Sequence, residues 1–183
     1  MSYLVPLPVV MPLLGAALTL VLARRPHAQR TVSVAVLVAT LAVAVALLVG
    51  AHRDGPQAVA IGGWPAPVGI VLVADQLAAL MLVVSAAVTL CVLLYSIGQG
   101  HADGDEGTPV AIYHPTYLVL TAGVTNAFLS GDLFNLFVGF EILLAASFVL
   151  LTLGGTAPRI RAGTTYVVVS LLSSLIFLVA IAL

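Results

Sequence analysis

Clusters of Pro, Gly and Arg cut this chain into successive apolar runs, each about as long as a bilayer is thick. A hydrocarbon core of about 30 Å takes about 20 helical residues at a rise of about 1.5 Å each. Runs of that order extend from Tyr3 to Ala23, Thr31 to Val49, Gln76 to Ile97, His114 to Leu129, Gly131 to Leu153 and Ala162 to Leu183. Hydrocarbon offers no partner to a backbone N–H or C=O, so segments of this length satisfy themselves as helices. The expected fold class is therefore all-α integral membrane, with about six transmembrane helices.

Composition excludes the soluble alternatives. Hydrophobic residues make up 62% of the chain and charged residues 7%, against about 45–50% and about 25% in globular domains. The net charge is −1, with arginines and no lysine, so no basic field addresses nucleic acid. The lone Cys91 lies in an apolar run and can form no disulfide within one chain. Arg24 and Arg25 follow the first run, whereas a cleaved secretory signal carries its charge before it, so the first span is expected to be retained. No zinc spacing, nucleophile triad, phosphate loop or dinucleotide fingerprint occurs; no cofactor and no metal site are expected.

Between the runs, Pro6, Pro8 and Pro12 are expected to kink or loosen the first turns. Arg24, Arg25, Pro26, His27 and Arg30 form a short basic loop. The longest extramembrane piece, Ala51 to Ala74, holds two β-prone runs, Gln57 to Ile61 and Gly69 to Val73. They flank Gly62-Gly63-Trp64-Pro65-Ala66-Pro67 and predict a small hairpin between the second and third spans, with Trp64 at the interface. Asp75 is placed to cap the third span. Asp103, Asp105 and Glu106, with His101 nearby, read as a solvated polar loop. Thr121, Thr125 and Asn126 on the fourth span suit hydrogen bonds between helices, worth about 0.6–2 kcal/mol each, or a polar path. Ser170, Ser173 and Ser174 make a polar stripe at helical spacing on the sixth. Loops after the first, third and fifth spans hold Arg24, Arg25, Arg30, Arg159 and Arg161; the others hold Arg53. The positive-inside rule then predicts a multi-pass protein with its N-terminus outside the cell membrane.

One charged side chain falls well inside a span. Glu141 lies roughly 13 Å from the start of the fifth run, where a carboxyl group is costly and usually functional. It can exchange a proton, or remain neutral and bond a neighbouring helix. Asp132, nine positions earlier, falls near the opposite face and reads as an N-cap, with Asn135 at the third helical position. Phe134, Phe137 and Val138 are expected to wall Glu141 from water. Every arginine is expected in a loop, so a basic partner for Glu141 must come from elsewhere.

The stretch Gly131-Asp132-Leu133-Phe134-Asn135-Leu136-Phe137 with Phe140-Glu141 resembles the fifth-helix signature of the D-type subunits of Mrp cation/proton antiporters, a family related to the antiporter-like subunits of respiratory complex I. The similarity extends through Tyr113-His114-Pro115 to Asn126-Ala127-Phe128-Leu129, and through Tyr166-Val167-Val168 to Ser173-Ser174. It implies proton translocation through Glu141, with Asp132, Asn135, Thr125, Asn126 and Ser173 in support. It further implies Na+ and H+ as transported ions, and other subunits of a multi-subunit membrane complex as partners. The rival readings are a proton-pumping subunit of a complex I-type NADH:quinone oxidoreductase or membrane hydrogenase, and a structural membrane piece without transport of its own. Family members resemble a much longer chain with an inverted repeat and functional lysines on later helices. Residues 1–183 are thus expected to be one membrane domain from the N-terminal part of such a subunit, with 1–97 as its first three spans and 114–183 opening the first repeat unit.

Overall fold

A computed structural model describes residues 2–64, 69–99, 111–153, 155 and 157–183. Its helices are α1 (Leu7–Val21), α2 (Pro26–Asp54), α3 (Gln76–Gln99), α4 (Tyr113–Leu129), α5 (Leu133–Thr152) and α6 (Ala157–Ala182). Between α2 and α3, strands β1 (Gln57–Ala60) and β2 (Val71–Ala74) pair antiparallel, with Gln57 opposite Ala74 and Ala60 opposite Val71. Four helices, α2, α3, α5 and α6, are long and apolar enough to cross a membrane. The chain is a multi-pass helical membrane protein. The acidic stretch with His101, Asp103, Asp105 and Glu106 lies outside the described residues, as do Pro65, Ala66 and Pro67.

Helix ends depart from the expected boundaries for local reasons. α2 begins at Pro26, inside the stretch expected as a basic loop, because proline at a first helical position loses no bond and presets φ. Arg30 is therefore helical, Arg53 lies in the last turn of α2, and Arg159 and Arg161 lie in the first turns of α6. These arginines sit at helix ends rather than in loops. Gln29 becomes a core residue, 2% exposed, whose Nε2 donates to the Thr19 carbonyl at 2.8 Å and the Ala111 carbonyl at 3.0 Å. One amide thus ties α2 to the end of α1 and to the approach to α4.

The prolines do not loosen α1; Pro12 lies inside a continuous helix. Having no N–H, it leaves the carbonyl of Pro8 without its helical donor. Thr125 on α4 supplies one, donating from Oγ1 to the Pro8 carbonyl at 2.8 Å. A helix defect is repaired by a neighbouring helix, as apolar surroundings require. Thr125 is accordingly part of the packing.

The interior has two apolar layers. Val5, Leu47, Leu72, Leu82 and Leu129 gather near the sheet, and Ala16, Leu37, Leu93, Tyr117 and Leu118 near the other end. Asp75 accepts the Ala78 N–H at 2.7 Å and caps α3. α4 and α5 run back to back at very close range, which glycine permits. A Cβ on Gly123 would sit 2.7 Å from the Leu143 nitrogen, and one on Gly139 3.0 Å from the Ala127 nitrogen. Such close backbone approach is how helices associate where water cannot drive them together.

Gly123→Val should therefore force α4 and α5 apart at a cost of about 1–3 kcal/mol, the usual range for overpacking. Gly98→Val, at a position with nothing within 4 Å, should change little. Thermal unfolding in detergent, followed by near-UV circular dichroism, compares the two; equal midpoints would refute the tight-contact account.

Candidate functional site

The site is built from the short turn between α4 and α5. Asp132 is extended, with φ −137° and ψ 153°, and its Oδ1 accepts the Asn135 N–H at 2.6 Å. Its Oδ2 accepts the Val71 N–H at 3.2 Å. Gly131 donates its N–H to the Val71 carbonyl at 2.8 Å, and Ser130 pairs with Leu72 as an isolated bridge. The turn thus lies along β2 like a third strand. Glycine is required at 131, because a Cβ there would come within 2.7 Å of Val73 Cγ2 and 3.0 Å of the Val71 carbonyl.

Asn126 and Asn135 close the same corner. Asn126 Nδ2 donates to Asn135 Oδ1 at 3.2 Å, and Asn135 Nδ2 donates to Ser130 Oγ at 2.9 Å. Both asparagines are buried. Asp132, Asn135, Asn126 and Thr125 thus belong to one structural end of the α4–α5 pair, bonded to one another and to β2 and α1 rather than to Glu141.

Glu141 lies eight residues into α5, about 12 Å along its axis, half-buried against α6. Ser174 Oγ donates to Glu141 Oε1. Ser173, expected as the supporting residue, is turned away and donates to its own helix, to the Val169 carbonyl at 2.9 Å. A step of about 100° per residue separates the two hydroxyls, and the stripe pattern alone does not select between them.

Below the carboxyl runs a groove of ≈ 220 Å³ lined by Glu141, Leu144, Phe148, Tyr166, Ser170 and Leu171. No arginine lines it. Near the foot of the groove, Ser147 Oγ and Tyr166 Oη lie 2.8 Å apart in a hydrogen bond. The aromatic wall differs from the expected one. Phe137 and Phe140 meet Phe177 of α6, with ring centres 6.4 and 6.1 Å away, while Phe134 is exposed and touches Phe137. Sequence reasoning misses Phe177 as the aromatic partner on α6, Tyr166 as a lining residue of the groove and Ser147 as its hydroxyl partner. Tyr166 and Ser174 do share one face of α6, at eight-residue spacing, which is the signal that could have found them.

A bundle of apolar helices with an acid of one set against a hydroxyl of the next defines a polytopic membrane protein with an ionisable group between two apolar helices. Residues 130–183 match the family described as NADH:quinone oxidoreductase/Mrp antiporter, TM. Over 182 residues the chain is 36% identical to the D-type subunit of a Na(+)/H(+) antiporter from Alkalihalophilus pseudofirmus, covering 100% of this chain and 36% of that relative. It is 45% identical over 123 residues to the D-type subunit of a probable K(+)/H(+) antiporter from Rhizobium meliloti, covering 67% of this chain and 22% of that one. Its fold matches a chain in the structure of the Mrp complex from Dietzia sp. DQ12-45-1b with TM-score 0.90 and 33% identity, over 100% of this chain and 34% of that chain. The chain belongs to the NADH:quinone oxidoreductase/Mrp antiporter membrane family, and its matches cover between 22% and 36% of the length of these relatives.

Asp132→Ala removes both the cap on α5 and the bond to β2, so it should destabilise the fold by about 1–2 kcal/mol. Asp132→Asn keeps an acceptor for the Asn135 N–H and should cost less. Denaturant titration of the two variants checks the order; equal stability of Asp132→Ala and the parent would remove the latch.

Proposed function

We propose that this chain is the N-terminal portion of a monovalent cation/proton antiporter subunit, working in a multi-subunit complex of the cell membrane, with Glu141 as its proton-exchanging carboxyl. The single observation that carries this is the position of Glu141: a half-buried acid at mid-span, engaged by a hydroxyl from the next helix and bordering a groove. A carboxyl placed so can pick up and release a proton without leaving the membrane. The subunit is a secondary transporter rather than an enzyme, and its counter-ion is Na+. The A. pseudofirmus relative and the Mrp fold support the antiporter reading over a redox-driven pump. The proton moves inward and sodium outward, and Glu141 takes its basic partner from outside these residues.

In this reading all six helices cross the membrane. α1, with 15 residues, and α4, with 17, are short for a span; the 3-10 turn Ser2–Leu4 extends α1. The N-terminus lies outside, because Arg24, Arg25, Arg30, Arg159 and Arg161 then face the cytoplasm. Residues 1–97 supply the first three spans and 114–183 open the first repeat unit.

Cysteines introduced at Ala28 and Ala157 should be labelled by an impermeant thiol reagent from the cytoplasmic side alone, and one at Gln57 from outside alone. Labelling of Ala28 and Gln57 from the same face would sink the six-span arrangement. These 183 residues reconstituted alone should give no cation-dependent proton flux above empty liposomes; saturable exchange would contradict the partial-subunit reading. In the full-length protein within its complex, Glu141→Gln keeps shape and hydrogen bonding but removes the proton. Exchange should collapse while the complex still assembles, and Glu141→Asp should retain part of it. Full exchange by the Gln variant would remove Glu141 from the mechanism.

A further inference from the structure

We propose that Ser174 is a positioning residue for the Glu141 carboxyl, and that the Tyr166–Ser147 hydroxyl pair stands on the route by which its proton leaves toward the α5–α6 end of the bundle. The proposal rests on the reading of Glu141 as the exchanging acid and adds the route by which the proton leaves toward the cytoplasm.

The first observation is the exceptional bond of Ser174. Hydroxyls on membrane helices commonly bond back to their own backbone, and α6 follows that habit elsewhere. Thr164 donates to the Ile160 carbonyl, Thr165 to Arg161 and Ser173 to Val169. Ser174 instead reaches across to the Glu141 carboxyl. A bond that forgoes the local acceptor fixes the rotamer of the acid and supplies it with a donor.

The second observation is a polar row. Tyr166, Ser170 and Ser174 are spaced i, i+4 and i+8, so they lie along one side of α6. Their neighbours Val168, Leu171, Leu172 and Leu175 are apolar and exposed. Tyr166 and Ser170 line the same ≈ 220 Å³ groove as Glu141. Toward the start of α6, Ala157, Pro158, Arg161, Ala162 and Thr165 line an open cleft of ≈ 520 Å³. Along α6, Tyr166 lies between that cleft and Ser174.

The third is the direction of the Tyr166–Ser147 bond. Ser147 has one hydroxyl proton and lies 3.0 Å from the Leu144 carbonyl, to which it donates. Tyr166 then donates to Ser147 Oγ across 2.8 Å. The pair stands at the side of the groove farther from Ser174, since Tyr166 is the groove-lining hydroxyl nearest the start of α6. From Ser147 to Glu141 is six residues of α5, about 9 Å of rise, too far for one proton hop. A volume of ≈ 220 Å³ holds several waters at roughly 30 Å³ each, and Glu141, Ser170 and Tyr166 offer them polar partners. Release is a relay: the protonated carboxyl gives its proton to groove water, and the hydroxyl pair takes one proton from that water as it passes another to water at the cleft. The carboxylate is left ionised, and the hydroxyls end as they began. Rotation of Tyr166 away from Ser147 breaks the file.

The test uses the full-length subunit in its assembled complex, reconstituted in liposomes and carrying Glu141→Gln, Ser174→Ala, Ser174→Thr or Tyr166→Phe. Exchange rate is read beside the carboxyl C=O stretch in infrared difference spectra, the Glu141 band being the one lost in Glu141→Gln. Ser174→Ala should slow exchange by roughly ten- to hundred-fold, as loss of a bond to an ionisable group does, and move that band. Ser174→Thr should restore both. Tyr166→Phe should slow exchange and leave the band in place. Wild-type rates and an unmoved band in Ser174→Ala and Tyr166→Phe, with Glu141→Gln inactive, would overturn the route while leaving Glu141 as the acid. Slow exchange in Ser174→Ala with an unmoved band, unrelieved by threonine, would make Ser174 a packing residue and overturn its positioning role. Full exchange by Glu141→Gln would overturn the parent reading and this route together.

Discussion

The two oxygens of Asp132 hold the bundle and its two-stranded sheet in register. One caps α5 and the other binds the edge of β2, so the start of the acid-bearing helix is fastened to the sheet. Without that clamp, α5 would be held against α4 mainly by dispersion contacts and the Asn126–Asn135 pair. With it, the height of Glu141 in the bundle is set by a rigid corner at the start of the same helix. An aspartate is suited to this because its short side chain accepts from two backbone donors without bending the chain.

The same demand, that no polar backbone group be left without a partner in apolar surroundings, explains the other long-range bonds. Pro12 orphans a carbonyl that Thr125 satisfies across 117 residues of sequence. Gln29 spends its amide on two carbonyls at the ends of other elements. These polar side chains are anchors between helices that the apolar residues alone would leave free to slide, because Leu against Leu is no better than Leu against lipid. Glu141 and Ser174 stand apart from this network. Their bond joins α5 to α6, where the helix pair is otherwise open and bordered by grooves. The rigid half of the molecule surrounds α4, and the polar file lies on its less enclosed flank, where water and a moving side chain have room.

Much of this is legible in the residues because a membrane narrows the possibilities. Apolar runs of bilayer length dictate helices, and the positions of Gly and Pro dictate where they break. The acid at 141 is conspicuous because nothing else charged lies so deep, and Asp75 and Asp132 stand where caps stand. These are properties of local sequence and of the solvent. Helix ends are less legible: Pro26 reads as a breaker in a basic loop, yet proline at a first turn extends a helix. The aromatic wall goes wrong at Phe134, since proximity along one helix says nothing of what the neighbouring helix contributes.

What the chain determined by itself was the secondary structure, the membrane as its solvent and the place of Glu141 well inside an apolar run, all of which follow from spacing and transfer energy. Tertiary structure decided the partnerships. It chose Ser174 over Ser173, Thr125 for the carbonyl that Pro12 abandons, and Val71 for the second oxygen of Asp132. Those choices depend on how each helix is rotated about its own axis and how closely Gly123 and Gly139 let α4 approach α5. A rotation of one residue, about 100°, leaves every apolar pattern intact and changes which hydroxyl meets the acid, so the distinction exists once the helices are packed and not before.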